Sequence, residues 1–170
     1  RNFTSNGSPA QVAQCGVIPP VPGSVQLDGG SGDDTLVGAS GNDTLAGGAG
    51  SDSYRFGIGS GADLVVDSAE AASTDTVSID QGLTHTRLWF RQLDSDGDGA
   101  VDDLDIQILG TEDHLAIQDW FAPGAAGQLD SIVSGDGQAL GAGSADISQQ
   151  VNALVSAMAS LNPDDPADVN

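Results

Sequence analysis

GGSGDDTLVGASGNDTLAGGAGSDSYR, residues 29–55, writes one nine-residue phrase three times: a glycine-rich turn, an aspartate in the sixth place, and a short apolar tail. IGSGADLVV, residues 58–66, repeats the phrase imperfectly, and Asp75-Thr76-Val77 reads as a fifth, eroded copy. Glycine reaches backbone angles closed to other residues, so a G-G-x-G turn bends tightly enough to aim several carbonyl oxygens inward. The aspartate adds the negative charge that carbonyls lack. Calcium takes about six to eight such oxygens at roughly 2.3–2.6 Å and tolerates irregular geometry. Two residues after each aspartate stands Leu36, Leu45, Tyr54 or Val65, so each turn feeds a very short strand with one buried side chain. Units this small cannot bury a core alone and must stack.

Composition supports a cation as partner. The chain has 170 residues, room for one domain with tails, and a formal net charge of −21. Of its 25 acidic residues only Glu70 and Glu112 are glutamates, and Arg1, Arg55, Arg87 and Arg91 are its only lysine-or-arginine positions. Such a surface repels nucleic acid and anionic lipid. High charge with 24 glycines is also the composition of a disordered chain. The fixed spacing of the aspartates beside Leu, Tyr and Val argues for order instead. Cys15 is the single cysteine, which excludes an internal disulfide and a cysteine-built zinc site. No apolar run reaches the ~20 residues of a membrane span, and RNFTSNGSPA lacks the layout of a cleavable signal peptide, so export is expected to use another route.

The repeats resemble the RTX, or haemolysin-type calcium-binding, family. That resemblance implies an all-β fold, a parallel β-roll (an RTX nonapeptide solenoid) in which two repeats complete one coil and each turn stacks on the turn two repeats later. Calcium would then sit between Asp34 and Asp52 on one edge and between Asp43 and Asp63 on the other. Backbone ligands would come from the turns around Gly29, Gly30, Ser31 and Gly32; Gly38, Ser40 and Gly41; Gly47, Gly48, Ala49 and Gly50; and Gly59 and Gly61. Two departures stand out: Ala39 occupies a place usually held by glycine, and the step from Asp52 to Asp63 is eleven residues where nine is expected. Asp67 and Asp75 are candidates for a terminal site.

The chain divides into a proline-rich arm or linker at 1–24, the calcium-binding roll at 25–80, a β-rich region at 81–143, a helix at 144–162 and a tail at 163–170. In the β-rich region Leu104, Ile106 and Ile108 alternate on one face, GTED supplies a turn, and Leu115 and Ile117 follow before Trp120 and Phe121, a hairpin pattern. Trp89, Phe90, Trp120 and Phe121 are expected as core anchors. GLTHTRLWF and the stretch ending in DWF resemble the region that commonly follows RTX repeats. DSDGDGAVDDLD, residues 94–105, matches the D-x-D-x-D-G pattern of an EF-hand-type loop, with Asp94, Asp96, Asp98, Ala100 and Asp105 as candidate ligands and Asp102 beside them. The bland alternative is a solvated hairpin tip. From 147 on, Ile147, Val151, Leu154, Val155, Met158 and Leu161 share one helical face, with Asp146 placed as N-cap and Asn162-Pro163 as stop. This amphipathic helix is expected to cap the sheets.

Neither His85 nor His114 lies in a metalloprotease or nucleophile motif, Gly59-Ser60-Gly61 is not a nucleophile elbow, and no lysine follows a glycine run to cradle phosphate. The expectation is therefore a non-enzymatic, secreted calcium-binding module that binds several ions, folds on binding them, and serves as a structural, folding or export domain. Family resemblance adds an extracellular or cell-surface bacterial location reached by type I secretion. The alternatives are a subunit of a calcium-stabilised adhesin, filament or matrix, self-associating or attached to a larger chain, and the C-terminal module of a secreted enzyme or toxin.

Overall fold

The computed structural model describes residues 2–4, 23–67, 73–123, 129–141 and 147–161. Residues 5–22 of the proline-rich arm, Cys15 among them, the helix N-cap expected at Asp146 and the tail at 163–170 lie outside these residues. Single apolar side chains flanked by small polar ones produce strands of two to six residues: β1 (Asn2–Thr4), β2 (Gln26–Ser31), β3 (Thr35–Val37), β4 (Thr44–Ala49), β5 (Ser53–Phe56), β6 (Ala62–Val65), β7 (Thr76–Ile79), β8 (Leu88–Leu93), β9 (Asp103–Ile108), β10 (His114–Ile117), β11 (Ser131–Val133) and β12 (Ala139–Leu140). One helix follows, α1 (Ile147–Met158).

The strands form two sheets, and from β2 to β7 the chain alternates between them. The first has the order β1-β2-β4-β6-β10-β9-β8 and the second β12-β11-β7-β5-β3. Pairing along the repeats is parallel, with Leu27 beside Leu45 and Leu36 beside Tyr54, each pair 18 residues apart, or two nine-residue phrases. The eleven-residue step is absorbed locally: Leu45 meets Val65 at a separation of 20. Each sheet consequently carries one inward apolar column, Leu27–Leu45–Val65–Ile117 in the first and Leu36–Tyr54–Val77–Ile132 in the second, and all eight side chains are buried. The eroded phrase Asp75-Thr76-Val77 keeps register, since Thr76 pairs with Ser53 and Val77 with Tyr54.

Residues 81–123 add a three-stranded antiparallel meander, β8-β9-β10, built on the pattern of Leu104, Ile106 and Ile108 with Leu115 and Ile117. β10 belongs to both arrangements: it is antiparallel to β9 and parallel to β6. β11 is likewise parallel to β7, so the two parallel stacks continue beyond the glycine-rich phrases. Trp89, Phe90 and Trp120 are buried, as expected of scarce large residues, and Phe121 packs against the core part-exposed. Helix α1 buries Ile147 and Val151 and lies against β8, the outer strand of its sheet. There the backbone N–H of Phe90 donates to Met158 Sδ at 3.1 Å. Leu161, at the end of the predicted stripe, follows the helix and is 42% exposed.

Candidate metal centre

The turns that join the sheets impose the same backbone four times. The second and fourth places of each phrase have positive φ: Gly30 and Gly32, Ala39 and Gly41, Gly48 and Gly50, Gly59 and Gly61. Glycine is required at Gly48 on two counts, because φ is +95° and a Cβ there would strike the carbonyl oxygen of Gly30 in the neighbouring coil. Ala39 adopts φ +73° without that freedom, so the departure in sequence is carried as backbone strain.

These stacked turns bring the predicted aspartates into two columns. Asp34, Asp52 and Asp75 each immediately precede a strand of the second sheet, and the carboxylates of Asp52 and Asp75 each accept the backbone N–H of the aspartate before them in the column. Asp34 N donates to Asp52 Oδ1 at 2.9 Å and Asp52 N to Asp75 Oδ1 at 2.8 Å. On the opposite side Val25 N donates to Asp43 Oδ1 at 2.8 Å and Asp43 N to Asp63 Oδ1 at 3.0 Å. One oxygen of each acceptor thus knits adjacent coils. The remaining oxygens are different: Oδ2 of Asp43 and Asp52, and both oxygens of Asp34, are buried without a hydrogen bond. Each Oδ2 lies over the first glycine of its own phrase, where a Cβ on Gly29 would sit 2.8 Å from Asp34 Oδ2, and one on Gly38 or Gly47 would collide with the Asp43 or Asp52 carboxylate.

Burying a carboxylate without a counter-charge penalises its ionised form. Burial accordingly pushes the carboxyls of Asp34, Asp43 and Asp52 above their usual range, and that of Asp63 up to about 7 against the opposing hydrogen bond from Asp43 N–H. Orphaned carboxylate oxygens beside stacked backbone turns form an all-oxygen donor set, which fits a hard divalent cation such as calcium and has no thiolate to favour a softer one. Ser40 Oγ, in the second turn, is also buried without a hydrogen bond. Ser31 and Ala49 face one another across β2 and β4.

Other candidates are used differently. Asp75 gives its second oxygen to Ser73 Oγ at 3.0 Å, and Asp67 is hydrogen-bonded to the buried Tyr54 hydroxyl, which in turn accepts Gly47 N at 2.9 Å. At the widened fourth turn, Gly59 N and Gly61 N both donate to Asp113 at 2.9 Å. The structure adds Asp130 to the column, receiving Asp75 N at 2.8 Å. No glycine-rich turn announces Asp130, but Asp-Ser-Ile-Val (130–133) repeats the Asp-Thr-Leu-Val of 34–37 and the Asp-Ser-Tyr-Arg of 52–55, a signal available without the glycines. Asp113 carries no repeat signal.

The second acidic loop is arranged otherwise. β8 and β9 zip together as far as Leu93 opposite Asp103, which leaves 94–102 as the loop and sets Asp105 two residues down the strand. The loop's twelfth position is thereby drawn into the sheet. Asp105 is fully buried against Arg91 Nε at 2.6 Å and His114 Nδ1 at 2.8 Å. Asp103 approaches Asp94 and Asp96 instead, while its own oxygens accept Ser95 N at 2.6 Å and Asp119 N at 2.8 Å. Asp94, Asp96 and Asp98 are exposed and accept loop N–H groups: Asp94 from Gly97 and Gly99, Asp96 from Asp98, and Asp98 from Ala100. Asp102 groups with Asp103 and Asp119, and its carboxyl is raised by desolvation and by neighbouring carboxylates.

Residues 28–65 match the family RTX calcium-binding nonapeptide repeat, in four copies. The chain carries RTX repeats. The matched RTX stretch contains Asp34, Asp43, Asp52 and Asp63 with all four turns, while the acidic loop and Asp130 lie outside it. Comparison of the chain with curated proteins gives no match. The RTX repeat is a calcium-binding structural module, and among the described residues no helix is long and apolar enough to cross a membrane.

Proposed function

We propose that the chain is a secreted module whose two sheets wind as one calcium-clamped β-roll with α1 as its cap, and whose folding is driven by the ions. The observation that carries this is the set of buried, hydrogen-bond-free oxygens on Asp34, Asp43 and Asp52, repeated at the 18-residue register of the coils. Calcium between Asp34 and Asp52, and between Asp43 and Asp63, neutralises carboxylates that otherwise oppose burial and clamps turns that glycine leaves entropically free. The ions join the carboxylates to carbonyls of the turns at Gly29 to Gly32, Gly38 to Gly41, Gly47 to Gly50 and Gly59 to Gly61. At free calcium ten times a site's Kd each independent site adds about 1.4 kcal/mol. Several such sites rival the stability of a small domain.

The module stays unfolded where calcium is scarce and folds outside the cell, where millimolar calcium matches sites of extracellular affinity. Its role is structural, giving a bacterial surface or secreted protein a rigid, acidic segment after passage by type I secretion. Native mass spectrometry across a calcium titration tests the site assignment. The wild-type chain takes up several ions cooperatively, and Asp34→Asn with Asp52→Asn removes at least one. An unchanged stoichiometry in that variant overturns the assignment.

A further inference from the structure

Away from the aspartate columns, a cavity of about 460 Å³ opens between α1, β8 and the β11–β12 hairpin. Protein interiors are close-packed, with few voids larger than a water molecule, whereas ligand pockets occupy roughly 300–1,000 Å³ and combine apolar walls with a few placed polar groups. This cavity has that division. Leu88, Phe90, Ile132, Leu140, Leu154 and Met158 give it an apolar lining, and His85, Ser134 and Gln138 supply the polar groups.

The polar groups are ordered by Asp136. His85 Nδ1 lies 2.8 Å from Asp136 Oδ2, Ser134 Oγ lies 2.5 Å from Oδ1, and the His85 backbone N–H also points to Oδ1 at 3.4 Å. Hydrogen bonds from Ser134 and His85 hold the Asp136 carboxyl down at about 2, so it is ionised and can only accept. Nδ1 must therefore donate to it, which leaves Nε2 as the ring nitrogen that can meet a ligand. Charge excludes two ligand classes. An anion meets Asp136 and a net charge of −21, and a cation finds the Asp136 oxygens already engaged by protein donors.

We propose that this cavity binds an uncharged, drug-sized apolar molecule bearing a hydroxyl group, its apolar body between α1 and β8 and its hydroxyl hydrogen-bonded to His85 Nε2. Trp89, which also lines the cavity, makes binding visible by fluorescence. The test titrates the neutral probe N-phenyl-1-naphthylamine into the full chain in millimolar calcium, then displaces it with 1-octanol or with octanoate at pH 8. Saturable binding at one site is expected, weakened at least about tenfold by Leu154→Trp, which fills the cavity. Ala139→Leu, acting from the opposite side, replaces that variant if its circular dichroism shows misfolding. 1-Octanol should displace the probe more strongly than octanoate, and His85→Ala should weaken 1-octanol by about three- to tenfold, the worth of one hydrogen bond. Non-saturating binding, wild-type affinity in the filled variant, or equal displacement by octanoate would overturn the proposal.

Discussion

Two acidic regions of this molecule share a composition of Asp and Gly and differ in where the carboxylates end up. In the repeats, Asp34, Asp43, Asp52 and Asp63 are each no more than 3% exposed, and three of them keep an oxygen without a hydrogen bond. In the 94–102 loop Asp94, Asp96 and Asp98 stand in solvent and accept the loop's own N–H groups. The contrast teaches that a high density of acid is not what demands a cation. Burial in register does. Solvated carboxylates repel weakly through water, whereas carboxylates held between stacked coils have neither water nor a donor to replace it.

The sharpest way to break the contrast is to attack the repeats. Gly47→Ala drives a Cβ into the Asp52 carboxylate and the Tyr54 hydroxyl, and should cost about 3 kcal/mol in denaturant unfolding with calcium present. Asp63 offers a pH handle. Its folded, metal-free pKa of about 7 exceeds its usual 3.8, so that state holds an extra proton between about pH 4 and 7; its stability is highest on the acid side and is lost as pH climbs through 7. Calcium must displace that proton. The unfolded chain carries no such proton above about pH 5, so the calcium midpoint for folding should be nearly flat between about pH 5 and 7, whereas a rise of about tenfold per pH unit below 7 would show calcium entering an already folded chain.

Smaller effects sharpen the same comparison. Asp105→Asn weakens the contacts to Arg91 and His114, for an expected loss of about 1–2 kcal/mol because both partners are partly solvated, with calcium stoichiometry unchanged. A lost ion would return Asp105 to the ligands. Ala39→Gly relieves the positive φ and should add about 1 kcal/mol, read as a higher denaturation midpoint. Asp94→Asn, in the solvated loop, should change stability by less than about 0.5 kcal/mol.

The repeat's geometry was legible because glycine, aspartate and one apolar residue each have a single job at a fixed place: Leu36 beside Tyr54 follows from counting, and Val77 from its place two residues after Asp75. Asp75 could be read the same way. The roles of Asp105 and Asp113 could not, since both depend on how far β8 and β9 zip and on which N–H groups a widened turn leaves pointing outward. Continuation of both parallel stacks through β10 and β11 was hidden for a related reason: those strands pair with partners 52 and 55 residues away, and no period spans the intervening meander. Asp130 lies between these cases, its strand phrase present and its glycines gone.

Far-UV circular dichroism of the whole chain, recorded in excess EGTA and then across a calcium titration to millimolar concentration, tests calcium-driven folding most directly. Little sheet signal in EGTA and a cooperative gain with calcium are the predicted result. The same sheet signal under both conditions would contradict it.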